Sequence, residues 1–130
     1  MDARAKLEGL RRQWVVYAVF VAILEAFREG FDSQWLLRAA LRIGVTFGLA
    51  WYLTTELDRR SSLVWAFGVV FGLLGAIARA IQIIEMLVGA GRGGGLDLGA
   101  LLLAAGSGYI HIQTFRVLRD PQVKRHVMLD

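Results

Sequence analysis

The chain has 130 residues, of which 56% are hydrophobic and 20% charged, with a formal net charge of +4 and no cysteine. The length is that of one domain. The apolar share exceeds the roughly 45–50% usual for soluble domains, and the lack of cysteine excludes disulfides and thiolate metal sites. The arginines are scattered rather than gathered on one polar face, so the basic excess reads as flanks facing anionic lipid, with no nucleic-acid partner expected.

With a mean hydropathy of +0.51, the apolar residues must be segregated into blocks. Residues 1–13 place Leu7, Leu10 and Trp14 at i, i+3 and i+7, one face of a helix. Arg4, Lys6, Arg11 and Arg12 surround them. This predicts a short interfacial lead-in, with Arg11-Arg12 as a flank rather than a twin-arginine export signal. The first apolar run covers 14–24 and extends to Phe27 if Glu25 is tolerated. It ends in Glu25-Ala26-Phe27-Arg28-Glu29, with no small-residue cleavage site, so no cleavable signal peptide is expected.

Gly30 and Asp32-Ser33 predict a turn, with Asp32 or Ser33 capping the next helix. The second run, 35–53, is interrupted by Arg38 and Arg42. Glu56, Asp58, Arg59 and Arg60 form a polar loop. Residues 61–78 then carry no charge for eighteen residues. As a helix that stretch would be about 27 Å long, close to the ~30 Å of bilayer hydrocarbon, and it continues to residue 88. The glycine-rich stretch 89–95 reads as a flexible linker. Asp97 is placed to cap a fourth run, 98–115, which is also eighteen residues without a formal charge. Pro121 is expected to end the helix, leaving a basic tail over 116–130.

These runs predict an all-α, four-helix transmembrane bundle of two antiparallel hairpins, with spans near 14–29, 35–53, 62–88 and 97–115 in a single domain. The N-terminus, the 54–62 loop and the tail hold Arg4, Lys6, Arg11, Arg12, Arg59, Arg60, Arg116, Arg119, Lys124 and Arg125. The other side holds Arg28, Arg38, Arg42, Arg79 and Arg92. The excess puts both termini in the cytoplasm of an inner-membrane protein. Trp14, Trp51, Tyr52, Trp65 and Phe115 fall at the cytoplasmic interface and Trp35 at the other, the levels such residues prefer.

The first hairpin carries the candidate polar site. At ~1.5 Å of rise per residue, Glu25 and Arg42 both lie about 16 Å deep, and Glu29 and Arg38 about 22 Å. Each like-charged pair is spaced i, i+4 and so shares a helical face. The pattern predicts Glu25 opposite Arg42 and Glu29 opposite Arg38, with Arg79 at a similar level. The bland reading is a stapled hairpin with arginines snorkelling outward. The sharper one is an intramembrane polar site for an ion, a proton or an anionic headgroup. Gln82 and Glu85 are placed at the outer interface.

Gly44 and Gly48, then Gly68, Gly72 and Gly75, then Ala104 and Gly108 repeat the small-residue spacing that lets spans pack closely. Contact within one bundle is the simpler reading and a self-association face the other. His111 has no second ligand at i+3 or i+4 and reads as a hydrogen-bonded structural histidine, with Ser107, Gln113 and Thr114 placed to line a polar seam with it or to satisfy backbone groups; His126 lies in the tail. Residues 91–95 lack the G-K-[ST] of a phosphate loop. No cofactor, metal site or catalytic set is expected, and no enzyme.

The tail Leu118-Arg119-Asp120-Pro121-Gln122-Val123-Lys124 resembles the L-x-x-P-x-V-K ending of small bacterial and archaeal integral membrane proteins of unknown function. Here His126 and Val127 stand where an aromatic is usual. The resemblance implies a polytopic membrane protein with a cytoplasmic C-terminus and carries over no activity. Lys124 and Arg125 would meet anionic headgroups. The expected function is a non-enzymatic scaffold or accessory subunit, self-associating or bound to a larger membrane partner. The alternative is a small channel or transporter using Glu25, Glu29, Arg38, Arg42 and Arg79. A soluble helical bundle with an unusually apolar core is the third reading.

Overall fold

The computed structural model describes residues 3–59 and 61–128, with the side chain of Asp58 excepted. Arg60 and that side chain, both part of the polar loop read above, lie outside the described residues, as do the first and last two residues of the lead-in and tail. Five helices make up the described chain: α1 (Ala3–Glu29), α2 (Ser33–Asp58), α3 (Ser62–Gly91), α4 (Leu98–Leu118) and α5 (Pro121–Met128).

Local chemistry sets each boundary. Gly30 takes φ +90°, the left-handed geometry that stops a helix without a Cβ clash, and its amide donates to Ala26 O at 2.8 Å. Asp32 then accepts from the Trp35 amide at 2.6 Å and caps α2. Ser61 caps α3 by accepting from the Val64 amide. Gly93, also at φ +90°, turns the chain after α3, and Asp97 caps α4 by accepting from the Ala100 amide at 3.1 Å. Because α3 runs to Gly91, the linker expected over 89–95 is shorter and starts at Arg92.

α1 packs on α2 and on α4, and α3 packs mainly on α4. α2 and α3 touch over a much shorter stretch, and α5 reaches all four long helices. Three helices are long and apolar enough to cross a membrane: Ser33–Leu57, Ser62–Gly91 and Leu98–Leu118. α1 is not among them, a departure from the four spans expected above. It is 27 residues long, but its uncharged stretch of residues 13–24 covers only about 18 Å.

The outward surface is apolar. Leu63 and Phe67 are 81% and 70% exposed, and Val16, Phe27, Leu37, Leu41, Leu74, Ile84 and Leu102 also face out. Buried between the helices are Thr54, Ser107, His111 and Thr114. Among the described residues, large hydrophobic side chains form a buried core at one end, where Leu7, Leu10, Leu57, Leu118, Val123 and Val127 cluster.

That end corrects two expectations. Residues 3–13 are not a surface lead-in; they continue α1, and Leu7 and Leu10 are buried. The tail is not a loose basic segment either. α4 extends to Leu118, and Pro121 starts a helix rather than simply ending one. Asp120 accepts from the Gln122 amide at 2.9 Å, and proline at the first helical position has no amide to leave unpaired. α5 buries Val123 and Val127. Lys6 Nζ meets Asp120 Oδ2 at 2.8 Å, and Trp65 Nε1 donates to Leu118 O at 2.7 Å, holding the corner.

Leu118→Ala is expected to destabilise the fold by about 2–5 kcal/mol, the range for emptying a buried leucine site, measured by denaturation in detergent. The Lys6 ammonium, and then the Gln122 amide, hold Asp120 below its ordinary carboxylate range. A depressed carboxylate stabilises above its unfolded pKa, and that contribution disappears as pH falls through the folded value. The protection factors of the α5 amides, which divide out the intrinsic exchange rate, should therefore fall on acidification below the ordinary aspartate range, and Asp120→Asn should remove that dependence.

Candidate functional site

The α1–α2 hairpin brings its acids and bases together. Glu25 is ion-paired with Arg42, and Glu29 Oε2 lies 2.9 Å from Arg38 Nη2. Both pairs share one register, centred on the Gly30–Ser33 turn. The inner pair is the more sheltered: the Glu25 side chain is 18% exposed, against 56% for Glu29. In water, pairs this open are worth ~0–1 kcal/mol. At membrane depth an unpaired charge costs roughly 2.5–3.5 kcal/mol, so pairing decides whether this part of α1 tolerates lipid.

A contact with no clear sequence signal ties the second hairpin to the first. Arg28 Nη2 reaches Asp97 Oδ2 at 2.8 Å. Nothing in a pattern of i, i+4 spacings links positions so far apart, and Asp97 was readable only as a cap. Arg79 lines the same cavity as Glu25 and Arg42 but forms no ion pair among the described residues. Its Nε donates to Ser107 Oγ at 2.9 Å and its Nη1 to Gln82 Oε1 at 2.6 Å.

These groups surround an open cavity of about 480 Å³ lined from all four long helices. Its polar wall is Glu25, Arg28, Arg42, Arg79, Gln82 and Ser107. Three guanidiniums face one carboxylate, and the Asp97 partner of Arg28 lies outside the lining. A hollow of about 600 Å³ between α1 and α4 carries Gln13, whose buried Oε1 has no partner, but Arg12 is its one formally charged lining residue. Among the described residues no group of three acids or histidines could hold a metal ion.

His111 is a packing residue in this arrangement. Its Nδ1–H donates to Ser107 O at 2.6 Å, since a carbonyl can only accept. The ring lies 5.6 Å from Trp14 and 5.1 Å from Phe71, centroid to centroid. Trp14 Nε1 donates to Thr114 Oγ1 at 2.9 Å, which in turn donates to Ile110 O at 2.8 Å. The seam read from Ser107, His111 and Thr114 is thus closed by its own hydrogen bonds.

The small residues divide into two groups. Gly72 sits where a Cβ would come 3.0 Å from His111 O and Phe115 N, and one on Gly68 would come 2.6 Å from Leu118 Cδ1. A Cβ on Gly75 would collide with the His111 ring. Ala104 is buried on α4, and Gly108 faces the Arg79 stem at 3.4 Å. These five let α3 and α4 approach. Gly44 and Gly48 do not pack within the chain: nothing lies within 4 Å of either Cβ position. The contact expected of them inside one bundle is absent because that face of α2 points outward.

Lys124 and Arg125 are exposed on α5. Lys124 Nζ lies 5.9 Å from the Trp65 ring, and Arg125 Nε donates to Pro121 O at 3.3 Å. Arg11, read above as a flank, also has a place: it donates to Thr54 Oγ1 at 2.8 Å and lies 4.0 Å over the Trp51 ring.

No protein-family model matches the chain, and no curated protein or solved structure matches it.

Gly72→Ala is expected to cost about 1–3 kcal/mol, the scale of overpacking. Gly44→Ala should be neutral or stabilising by up to about 1 kcal/mol, because the site is open and alanine favours the helix. Paired denaturation curves in one detergent check both signs.

Proposed function

We propose that the chain is a non-enzymatic integral membrane protein whose four long helices form a bundle of two antiparallel hairpins. Both ends lie on the cytoplasmic side of the inner membrane, and the protein serves as a scaffold or accessory subunit that self-associates or binds a larger membrane partner. One observation carries the reading: the large aliphatic and aromatic side chains face outward while Thr54, Ser107, His111 and Thr114 are buried. Water favours the reverse distribution, and lipid tolerates this one.

α1 joins the bundle in this reading because Arg42 neutralises Glu25. The orientation rests on the basic excess at the end that holds α5, where the tail resembling L-x-x-P-x-V-K also lies. Gly44 and Gly48 are open, with the exposed Leu41 and Val45 beside them. That face of α2 offers the close helix approach on which association between spans depends.

The protein should stay with membranes through alkaline carbonate and leave only with detergent. Gly44→Leu combined with Gly48→Leu should abolish cross-linked oligomers while leaving the helical signal unchanged. Oligomers that survive the double substitution would move the contact to another face.

The cavity favours a second reading, a small channel or transporter whose polar site includes Glu25, Arg42 and Arg79. Flux through liposomes should then fall in Glu25→Gln. Flux that is indifferent to the substitution rules out this site, and absent flux rules out a conduit.

A further inference from the structure

Arg79 is the group in the cavity whose charge nothing answers. A guanidinium has five N–H donors. Two are committed here, both to the neutral partners Ser107 and Gln82, and among the described residues no carboxylate is within ion-pair range. Those two bonds come from α4 and α3 and fix the plane of the group, leaving the rest of its fork uncommitted. Across the cavity Arg42 and Arg28 are already paired, so the lining retains an excess of positive charge. An arginine at such depth is costly unless it gains a counter-charge.

The volume says what kind of anion would fit. About 480 Å³ lies within the ~300–1,000 Å³ of small-molecule pockets, far beyond a bare ion. The cavity also continues. Thr46 lines both it and an apolar slot of about 120 Å³ bounded by Trp14, Leu49, Ala50, Leu53 and Phe71. From Thr46 to Leu53 the slot runs about 10 Å along α2. Its walls come from α1, α2 and α3, and the slight contact between α2 and α3 makes that seam the side from which a lipid would enter.

We propose that this cleft binds one acidic phospholipid of the outer leaflet, its phosphate on Arg79 and the first methylenes of one acyl chain in the slot along α2, the rest of the chain passing into the bilayer. The direction is that of a lipid already in that leaflet. Arg79 lies about 25 Å along α3 from its cytoplasmic end, and the slot leads from there towards the cytoplasmic side. A zwitterionic head is disfavoured because its cationic group would meet Arg28 and Arg42. The proposal rests on the membrane reading above and is independent of transport.

The test uses the full-length protein purified in a non-ionic detergent and offered phosphatidylglycerol or phosphatidylcholine, with bound lipid counted by native mass spectrometry. Wild type should retain phosphatidylglycerol in preference to phosphatidylcholine. Arg79→Gln should weaken that retention roughly ten- to hundredfold, the scale of a hydrogen bond to a charged group. Arg92→Gln, the same charge change outside the cavity, should leave it unchanged. Leu49→Trp, which fills the slot and touches no charge, should also weaken it.

Equal retention of the two lipids by wild type overturns the proposal. So does undiminished retention by a helical Arg79→Gln, or displacement of the lipid by millimolar inorganic phosphate with Leu49→Trp silent, which marks a free-anion site. A protein that needs detergent but holds no acidic lipid overturns this site alone, whereas one that dissolves without detergent overturns membrane residence itself.

Discussion

The hydrocarbon of a bilayer accepts no hydrogen bonds, and an outward face of Leu63, Phe67, Leu74, Ile81 and Ile84 leaves α3 little use for water. Under that constraint each polar group of the middle section has to find its partner inside the protein. Thr54 and Thr114 return their hydroxyls to carbonyls one turn back, as His111 does with its ring N–H. Trp14, Trp35 and Trp65 each place their indole N–H on an oxygen of another helix. The two acids at the far end of α1 take the two arginines of α2. The same accounting makes Arg79 conspicuous, since it alone in the cavity has only neutral partners.

The two ends of the molecule solve different problems. At the α5 end the chain builds a small core of Leu7, Leu10, Leu57, Leu118, Val123 and Val127, of the kind found in water-soluble domains. There α1 runs well beyond its uncharged stretch, and α5 closes over the helix ends with the Lys6–Asp120 pair at its edge. Among the described residues the opposite end has no such core. It is held by ion pairs, two within the first hairpin and one from Arg28 to Asp97. Between the ends, α3 and α4 rely on Gly68, Gly72 and Gly75, because dispersion contacts need close backbones where apolar burial gives no advantage.

How much of this was legible in the sequence depends on whether the signal was local. The caps at Asp32 and Asp97 and the stop at Gly30 follow from the residues themselves. The register of Glu25 with Arg42 and Glu29 with Arg38 follows from a short turn and two i, i+4 pairs, with no other information. The destination of Leu7 and Leu10 was not legible. Their spacing identifies a helical face, but whether it meets lipid headgroups or a docked α5 depends on residues over a hundred positions away. Pro121 carries the same ambiguity, for a proline that cannot continue one helix is suited to begin the next. The glycines are the sharpest case. The G-x-x-x-G spacing is identical at Gly44–Gly48 and Gly68–Gly72, yet only the second pair faces a partner within the chain. Spacing marks a face suited to close approach and is silent on what approaches it.

The uneven contacts of α2 follow from that division. Its tight partner is α1, joined by charge at one end and by Arg11 with Thr54 and Trp51 at the other. Its face towards α3 carries Thr46, Leu49 and Leu53 and no close-packing glycine, so the two helices meet only briefly, near Leu53 and Gly68, and a slot remains beside that contact. Gly44 and Gly48 were spent on the outward face instead. A helix held on one side by ion pairs, unfilled on the second and open on the third is the natural place for a lipid or another span to complete the structure. The charge excess beside the slot and the apolar seam beyond it favour different occupants at different positions on the same helix.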